Sequence, residues 1–169
     1  MPFSSPHGKK LIAEWLKSHD GNFEIAMDYG AGAGNYGKLL SEHAPKARRI
    51  GVEIFWPYIE KYELKKIYNE IILSDARSVA PPVGSLSIFG DILEHMPKID
   101  AVNLIEQAVR NSKFIIACVP VGEYKQGACY GNEYEAHVAM WSYEELCDLF
   151  KNFAVRQNFG DVAVFINHA

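Results

Sequence analysis

The stretch Phe23-Glu24-Ile25-Ala26-Met27-Asp28-Tyr29-Gly30-Ala31-Gly32-Ala33-Gly34-Asn35-Tyr36-Gly37 constrains the fold of this chain more than any other. A half-apolar run ends in an acid, passes through three glycines at alternate positions, and enters a segment, Tyr36 to His43, of helical character. That is the pattern of a strand, a tight loop and a helix start. Glycine alternating with alanine leaves almost no side chain at the loop, so a ligand can reach the main-chain N–H groups there. The loop suits a nucleotide-like ligand.

Two ligand classes fit it. Gly32, Gly34 and Gly37 give G-x-G-x-x-G, the dinucleotide fingerprint, whereas Gly30, Gly32 and Gly34 behind Asp28 give D-x-G-x-G-x-G. A pyrophosphate over this turn would be repelled by an extra carboxylate, and a cationic ligand without phosphate would tolerate or favour it. S-adenosylmethionine, with its ammonium and sulfonium groups, is such a ligand. A glycine-rich turn that merely joins a strand to a helix is the plainer alternative, so the rest of the chain must supply the partners in order.

Leu11, Ile12, Trp15 and Leu16 recur at helical spacing and predict a helix over Gly8 to Ser18, stopped near Asp20-Gly21. Before it, Met1 to His7 hold two prolines and two serines and read as a mobile N-terminal segment. Beyond Pro45, residues 49–54 read as a second strand that ends with Glu53, about 20 residues past the glycine loop, where a carboxylate can accept from two ribose hydroxyls. An exposed strand-end glutamate is the structural alternative. A helix follows from Trp56-Pro57 through Tyr62. Tyr62-x-x-x-Lys66 matches a reductase pair but lies where no reacting centre is expected.

The third strand, 70–73, leads to Ser74-Asp75-Ala76-Arg77, and the fourth, 86–90, delivers Asp91-Ile92-Leu93-Glu94-His95 at its end. Ligands of open α/β sheets sit at such strand ends, near the switch in strand order. Pro97 suits a helix start, with Ile99, Val102, Ile105, Ala108 and Val109 as its apolar face. Residues 114–120 form a near-continuous apolar strand, buried on both faces. From Val121 to Met140 no period holds, yet Tyr124, Tyr130, Glu133, Tyr134, Glu135 and His137 crowd together, and a long loop of this kind is usually functional. Ser142 and Glu145 form a capping box, and 153–159 and 162–167 read as a hairpin about Gly160-Asp161.

With these residues in view, Asp28-x-Gly30-x-Gly32-x-Gly34 resembles the first motif of class I S-adenosylmethionine-dependent methyltransferases, small-molecule type. Asp91-x-Leu93-Glu94-His95 looks like the corresponding segment of many of them, and His137 with Trp141, Ser142, Glu145 and Leu146 resembles a later one. The resemblance spans the chain from Gly8 onward and implies a three-layer, doubly wound α/β fold, a mostly parallel seven-stranded sheet with a terminal antiparallel hairpin. It implies a single domain over 1–169, S-adenosylmethionine as cofactor and S-adenosylhomocysteine as product. The implied cofactor site is Asp28, Gly30, Ala31, Gly32, Gly34, Glu53, Ile54, Asp75, Ala76, Asp91 and Ile92, with Asp75 near the adenine amine and Ala76 on the ring. Asp75 as a plain turn or cap aspartate stays open. The chain departs from the family in brevity, with no inserted acceptor-binding cap.

Composition narrows the partners. A formal charge of -4 with few clustered Lys or Arg argues against nucleic acid, and a small-molecule acceptor is expected. Lys9-Lys10 and Lys65-Lys66 read as solvated helix faces. Cys118, Cys129 and Cys147 show neither metal-ligand spacing nor a disulfide framework, so no metal is expected. No stretch approaches a membrane span or a signal peptide, and a cytoplasmic protein is expected. On the acceptor side His95 and His137 are the candidate catalytic residues, because imidazole takes a proton near neutral pH; capping and loop-fastening are their structural alternatives. A nicotinamide-dependent oxidoreductase and a non-catalytic ligand-binding subunit of the same fold are the rival functions. Oligomeric state is not legible.

Overall fold

The computed structural model describes residues 5–168, so Met1 to Ser4 of the expected mobile segment lie outside the described residues. Ser5 and His7 of that segment are tied down: the Ser5 hydroxyl donates to Asp161 Oδ2 and His7 Nδ1 meets Asp161 Oδ1, both at 2.8 Å.

Seven strands, β1 (Ile25–Tyr29), β2 (Arg48–Glu53), β3 (Glu70–Leu73), β4 (Leu86–Gly90), β5 (Phe114–Pro120), β6 (Val155–Asn158) and β7 (Val162–Ile166), form one sheet. Their order is β3-β2-β1-β4-β5-β7-β6, with β7 antiparallel to both neighbours and the remaining pairs parallel. Among the described residues six helices flank it: α1 (Lys9–His19), α2 (Asn35–His43), α3 (Trp56–Lys61), α4 (Leu64–Ile67), α5 (Lys98–Asn111) and α6 (Tyr143–Leu149). The expected doubly wound sheet with its terminal hairpin is therefore present.

Side chains alternate across the sheet and build one core on each face. Along β5, Ile115, Ala117 and Val119 enter the core under α5 and α6, while Phe114, Ile116 and Cys118 enter the core under α1 and α2. On β7, Ala163 and Phe165 go one way and Val162, Val164 and Ile166 the other. Phe150 of the segment after α6 stacks on Phe165 at 4.6 Å, one of the buried aromatic contacts that each contribute roughly 0.5–1.5 kcal/mol beyond area burial. The Ser142–Glu145 capping box at the start of α6 is formed as its sequence predicts.

One expectation is corrected. The α5 face set against the sheet is Ala101, Leu104, Ile105 and Ala108, while Ile99 and Val109 are 66% and 56% exposed. Both stripes have helical spacing, and the sheet selects the one whose small residues let the helix approach closely. The sequence reading also missed α4, a single turn whose Leu64 packs with Ile59, Tyr68 and Ala31.

Strand order reverses between β1 and β4, each of which leads to a helix on a different side of the sheet. The reversal opens a crevice at the carboxyl ends of these strands.

Candidate functional site

An open cavity occupies that crevice. Its floor is the glycine turn, Gly30 to Gly32, after β1, and its walls carry one acid from each of three strand ends on either side of β1: Glu53 at the end of β2, Asp75 after β3 and Asp91 after β4. Ala31, Ile54, Ala76 and Ile92 line it too, as does His95. The turn is a backbone device. Gly30, Gly32 and Gly34 all have positive φ, and a Cβ on Gly30 would stand 2.7 Å from Ile92 Cδ1.

Two of the expected ligand contacts are not on the cavity wall. Gly34 is the N-cap of α2, and a Cβ there would meet Ile67 Cδ1 at 2.6 Å, so its smallness serves the packing of α2 on α4. Asp28 is fully buried behind the turn. The Tyr68 hydroxyl donates to Asp28 Oδ2 and accepts the Gly37 N–H at 3.2 Å, which ties β1, α2 and the approach to β3 together. Direct repulsion of a pyrophosphate by Asp28 is thus not what this geometry provides. Tyr68 was missed because a lone tyrosine before a strand carries no sequence signal.

Burial raises the Asp28 pKa to about 7 from 3.8, with the Tyr68 hydrogen bond opposing the rise. A carboxyl raised in the folded state favours folding most when protonated. Its contribution is complete below about pH 4 and is lost as pH rises through about 7. In urea unfolding between pH 4 and 8, Asp28→Asn should therefore gain on the parent as pH rises, by on the order of a few kcal/mol. Parallel pH profiles for the two proteins would show that Asp28 titrates normally.

Glu53 is held by main-chain donors, Gly32 N–H to Oε2 and Phe55 N–H to Oε1, both at 2.8 Å. Burial raises its pKa, and these donors partly offset the rise. A carboxylate offers about four lone-pair directions, so both oxygens retain capacity toward the cavity. Asp75 caps the short 3-10 turn Ala76–Ser78 through the Arg77 N–H at 2.9 Å, and the Arg77 guanidinium grips it through Nε at 3.0 and 3.1 Å and Nη2 at 2.6 Å. The Arg77 hydrogen bonds hold the Asp75 carboxyl below its ordinary range. Arg77 also reaches Asp100 of α5 at 2.7 Å, so its charge is matched on both sides. The cap reading and the cavity reading of Asp75 are both realised. Asp91 sits in the left-handed region at φ 50, an uncommon conformation that aims the chain sharply out of β4.

The long loop after β5 folds back over the cavity. Asn132, Tyr134 and Glu135, on or beside the 3-10 turn Glu133–Glu135, line it, and Tyr130 reaches across to Lys61 of α3. The loop is pinned to the turn after β4 by Val138 N–H and Ala139 N–H donating to the Glu94 carbonyl at 2.8 and 3.0 Å. A loop over the ligand is what the crowd of side chains suggests, with His137 and Tyr124 foremost; the loop residues that line the cavity are instead Asn132, Tyr134 and Glu135. Asn35 and Tyr36 line the cavity as well, without a sequence signal that marks them. Lys9 departs from the solvated reading: it is half-buried, with Asp91 and Asp28 near enough to oppose the fall in its pKa that burial causes. Tyr62 and Lys66 do not line the cavity, and Lys66 pairs with Glu63.

His95 and His137 meet edge to face with centroids 4.9 Å apart. The segments after β4 and β5 thus bring the two rings together. Nδ1 of His95 faces the Ala136 carbonyl at 3.2 Å and Nδ1 of His137 faces the Tyr124 carbonyl at 2.6 Å. Burial lowers the His95 pKa to about 4 and lowers that of His137 as well. Both rings are neutral near pH 7, and His95 is a poor proton acceptor. Tyr124 is more than half exposed and touches His137 rather than the cavity wall.

No family model and no curated protein matches the sequence. Solved structures do. The mitomycin 7-O-methyltransferase superposes with a TM-score of 0.66 at 16% identity over 95% of this chain and 54% of its own. A 1,6-didemethyltoxoflavin-N1-methyltransferase from Burkholderia thailandensis, with its substrate and S-adenosylhomocysteine bound, gives 0.66 at 14% identity over 95% and 77%. The magnesium protoporphyrin IX methyltransferase from Synechocystis PCC 6803, with S-adenosylmethionine bound, gives 0.65 at 15% over 94% and 76%. This chain spans about half the length of the mitomycin enzyme. Its fold is that of the class I methyltransferases.

Proposed function

We propose that this chain is an S-adenosylmethionine-dependent methyltransferase acting on a small-molecule acceptor. The observation that carries the reading is the charge of the cavity on this fold. Glu53, Asp75 and Asp91 surround the glycine turn, Glu135 closes it from the loop, and the one guanidinium on the wall is already held by Asp75 and Asp100. A dinucleotide pyrophosphate at the glycine turn would meet the Glu53 and Asp91 carboxyl groups there. An ammonium and a sulfonium are favoured there.

The residues present suit that cofactor. Glu53, steadied by Gly32 and Phe55, would accept from ribose hydroxyls; Asp75 and Ala76 would flank the adenine; Asp91 and the Gly30–Gly32 backbone would hold the amino-acid end. The cofactor supplies an electrophilic methyl group whose leaving thioether needs no proton. The protein's part is then to position the acceptor and exclude water. Asn132, Tyr134 and Glu135 cover the cavity and would serve that purpose, while His95 lines it and His137 stands against His95 outside the wall.

As part of this reading we take residues 1–169 as one domain and the cytoplasm as its compartment. Three free thiols suit a reducing compartment, and no helix among the described residues is long and apolar enough to cross a membrane. The net charge of -4 disfavours a nucleic-acid acceptor.

Calorimetric titration with S-adenosylmethionine, S-adenosylhomocysteine and NADH tests the cofactor, and product detection over pools of small acceptors tests the activity. Binding of the first two with no heat from NADH is the expected result. Tight NADH binding with indifference to S-adenosylmethionine would overturn the reading. Binding without turnover on any acceptor would favour the non-catalytic subunit.

A further inference from the structure

Glu94 and His95 leave the end of β4, and His137 comes from the loop after β5, yet one ligand atom from each lies within 4.8 Å of the other two. Carbonyl oxygens only accept hydrogen bonds. The contacts of His95 with Ala136 and of His137 with Tyr124 therefore place the proton on Nδ1 in both rings and leave a lone pair on both Nε2 atoms. A backbone carbonyl behind a ring nitrogen is how ligating histidines are usually oriented.

The third group is a carboxylate that its surroundings leave unsatisfied. Glu94 is buried, its Oε2 has no hydrogen-bond partner, and its Oε1 stands 3.8 Å from His95 Nε2, beyond hydrogen-bond range. Asp91 and Glu135 add negative charge beside it. A buried carboxylate with one oxygen unpartnered, set beside two imidazoles, is costly unless something positive sits among them.

We propose that Glu94, His95 and His137 bind a divalent first-row transition-metal cation whose open coordination positions take an oxygen of the acceptor. Bonds of about 2.1 Å bring neighbouring ligand atoms to roughly 3.4 Å, so the three groups need to close by about an ångström, within reach of side-chain rotation. Two imidazoles and one carboxylate suit zinc, cobalt, iron or manganese better than magnesium or calcium, which prefer oxygen ligands alone. His95 belongs both to this cluster and to the cavity wall, which sets an oxygen on the cation beside the bound cofactor. A hydroxyl on the cation releases its proton to water more readily, giving the acceptor the nucleophilicity that a weakly basic His95 would not confer. Cation binding stands independently of the methyltransferase reading, and only the occupant of the open positions rests on it.

The test strips the full chain with a chelator and titrates it with Zn²⁺ by calorimetry and with Co²⁺ by visible absorption. One equivalent should bind, with the absorption of imidazole-coordinated cobalt, and His95→Gln, His137→Gln and Glu94→Gln should each weaken it by ten- to a hundredfold. His137 lies on a half-exposed loop, so its variant is expected to melt like the parent and decides the matter if Glu94→Gln fails to fold. Absence of one-to-one binding, or binding unmoved by the two histidine changes and so due to other surface histidines, would overturn the site. Titration of the same stripped protein with S-adenosylmethionine separates the two ideas. Cofactor binding without cation binding would sink the site alone, and cation binding without cofactor binding would sink the methyltransferase reading alone.

Discussion

Changing His137 to Gln should slow methyl transfer by about a hundredfold or more while S-adenosylmethionine affinity stays within a few fold. His137 is outside the cofactor walls and inside the cluster with Glu94 and His95, so its loss should reach the acceptor side only. If the ring holds a cation, excess Zn²⁺ or Co²⁺ should restore part of the rate, because a weakened site still fills by mass action. A ring that only fastens the loop through Tyr124 would behave differently: the melting temperature would fall, and activity would fall only as far as folded protein is lost. Full turnover by the His95→Gln, His137→Gln double variant on its native acceptor would remove both residues from the chemistry.

Glu53→Ala should weaken S-adenosylmethionine by about 1.5–3 kcal/mol, the scale of a hydrogen bond to a charged group, without unfolding the domain. Two losses combine there. The ribose acceptor disappears, and the Gly32 and Phe55 N–H groups that Glu53 holds are released, so the glycine turn loses a brace. Glu53→Gln separates them, since its amide oxygen keeps one acceptor and its amide nitrogen cannot receive the second N–H. Affinity between parent and Glu53→Ala is expected for it. Calorimetry that finds Glu53→Ala unchanged would remove Glu53 from the site.

Much of the fold was legible because local chemistry and global packing agree. The glycine turn, the acid at the end of β2 and the near-continuous apolar run of β5 each report a parallel strand with ligand space at its carboxyl end, and all three stand where the spacing put them. The face of α5 was misread because Ile99 and Ala101 belong to two equally periodic stripes, and periodicity alone gives no depth. The burial of Asp28 behind the turn is likewise not local: it stands near the end of β1, and its partner, Tyr68, comes from 40 residues away.

The sequence by itself determined the strand order's raw material: which segments are strands, where the glycines permit a ligand to touch backbone, and which acids end β2, β3 and β4. Those properties are local, set by side-chain size, periodicity and turn chemistry within a few residues. Only the tertiary structure decided what the acids face and what the histidines meet. Arg77 neutralises Asp75, the loop after β5 sets Glu135 over the cavity, and its pinning to the Glu94 carbonyl brings His137 to His95. Contacts between loops from separate strands depend on sheet order and on backbone hydrogen bonds, and no spacing along the chain encodes them.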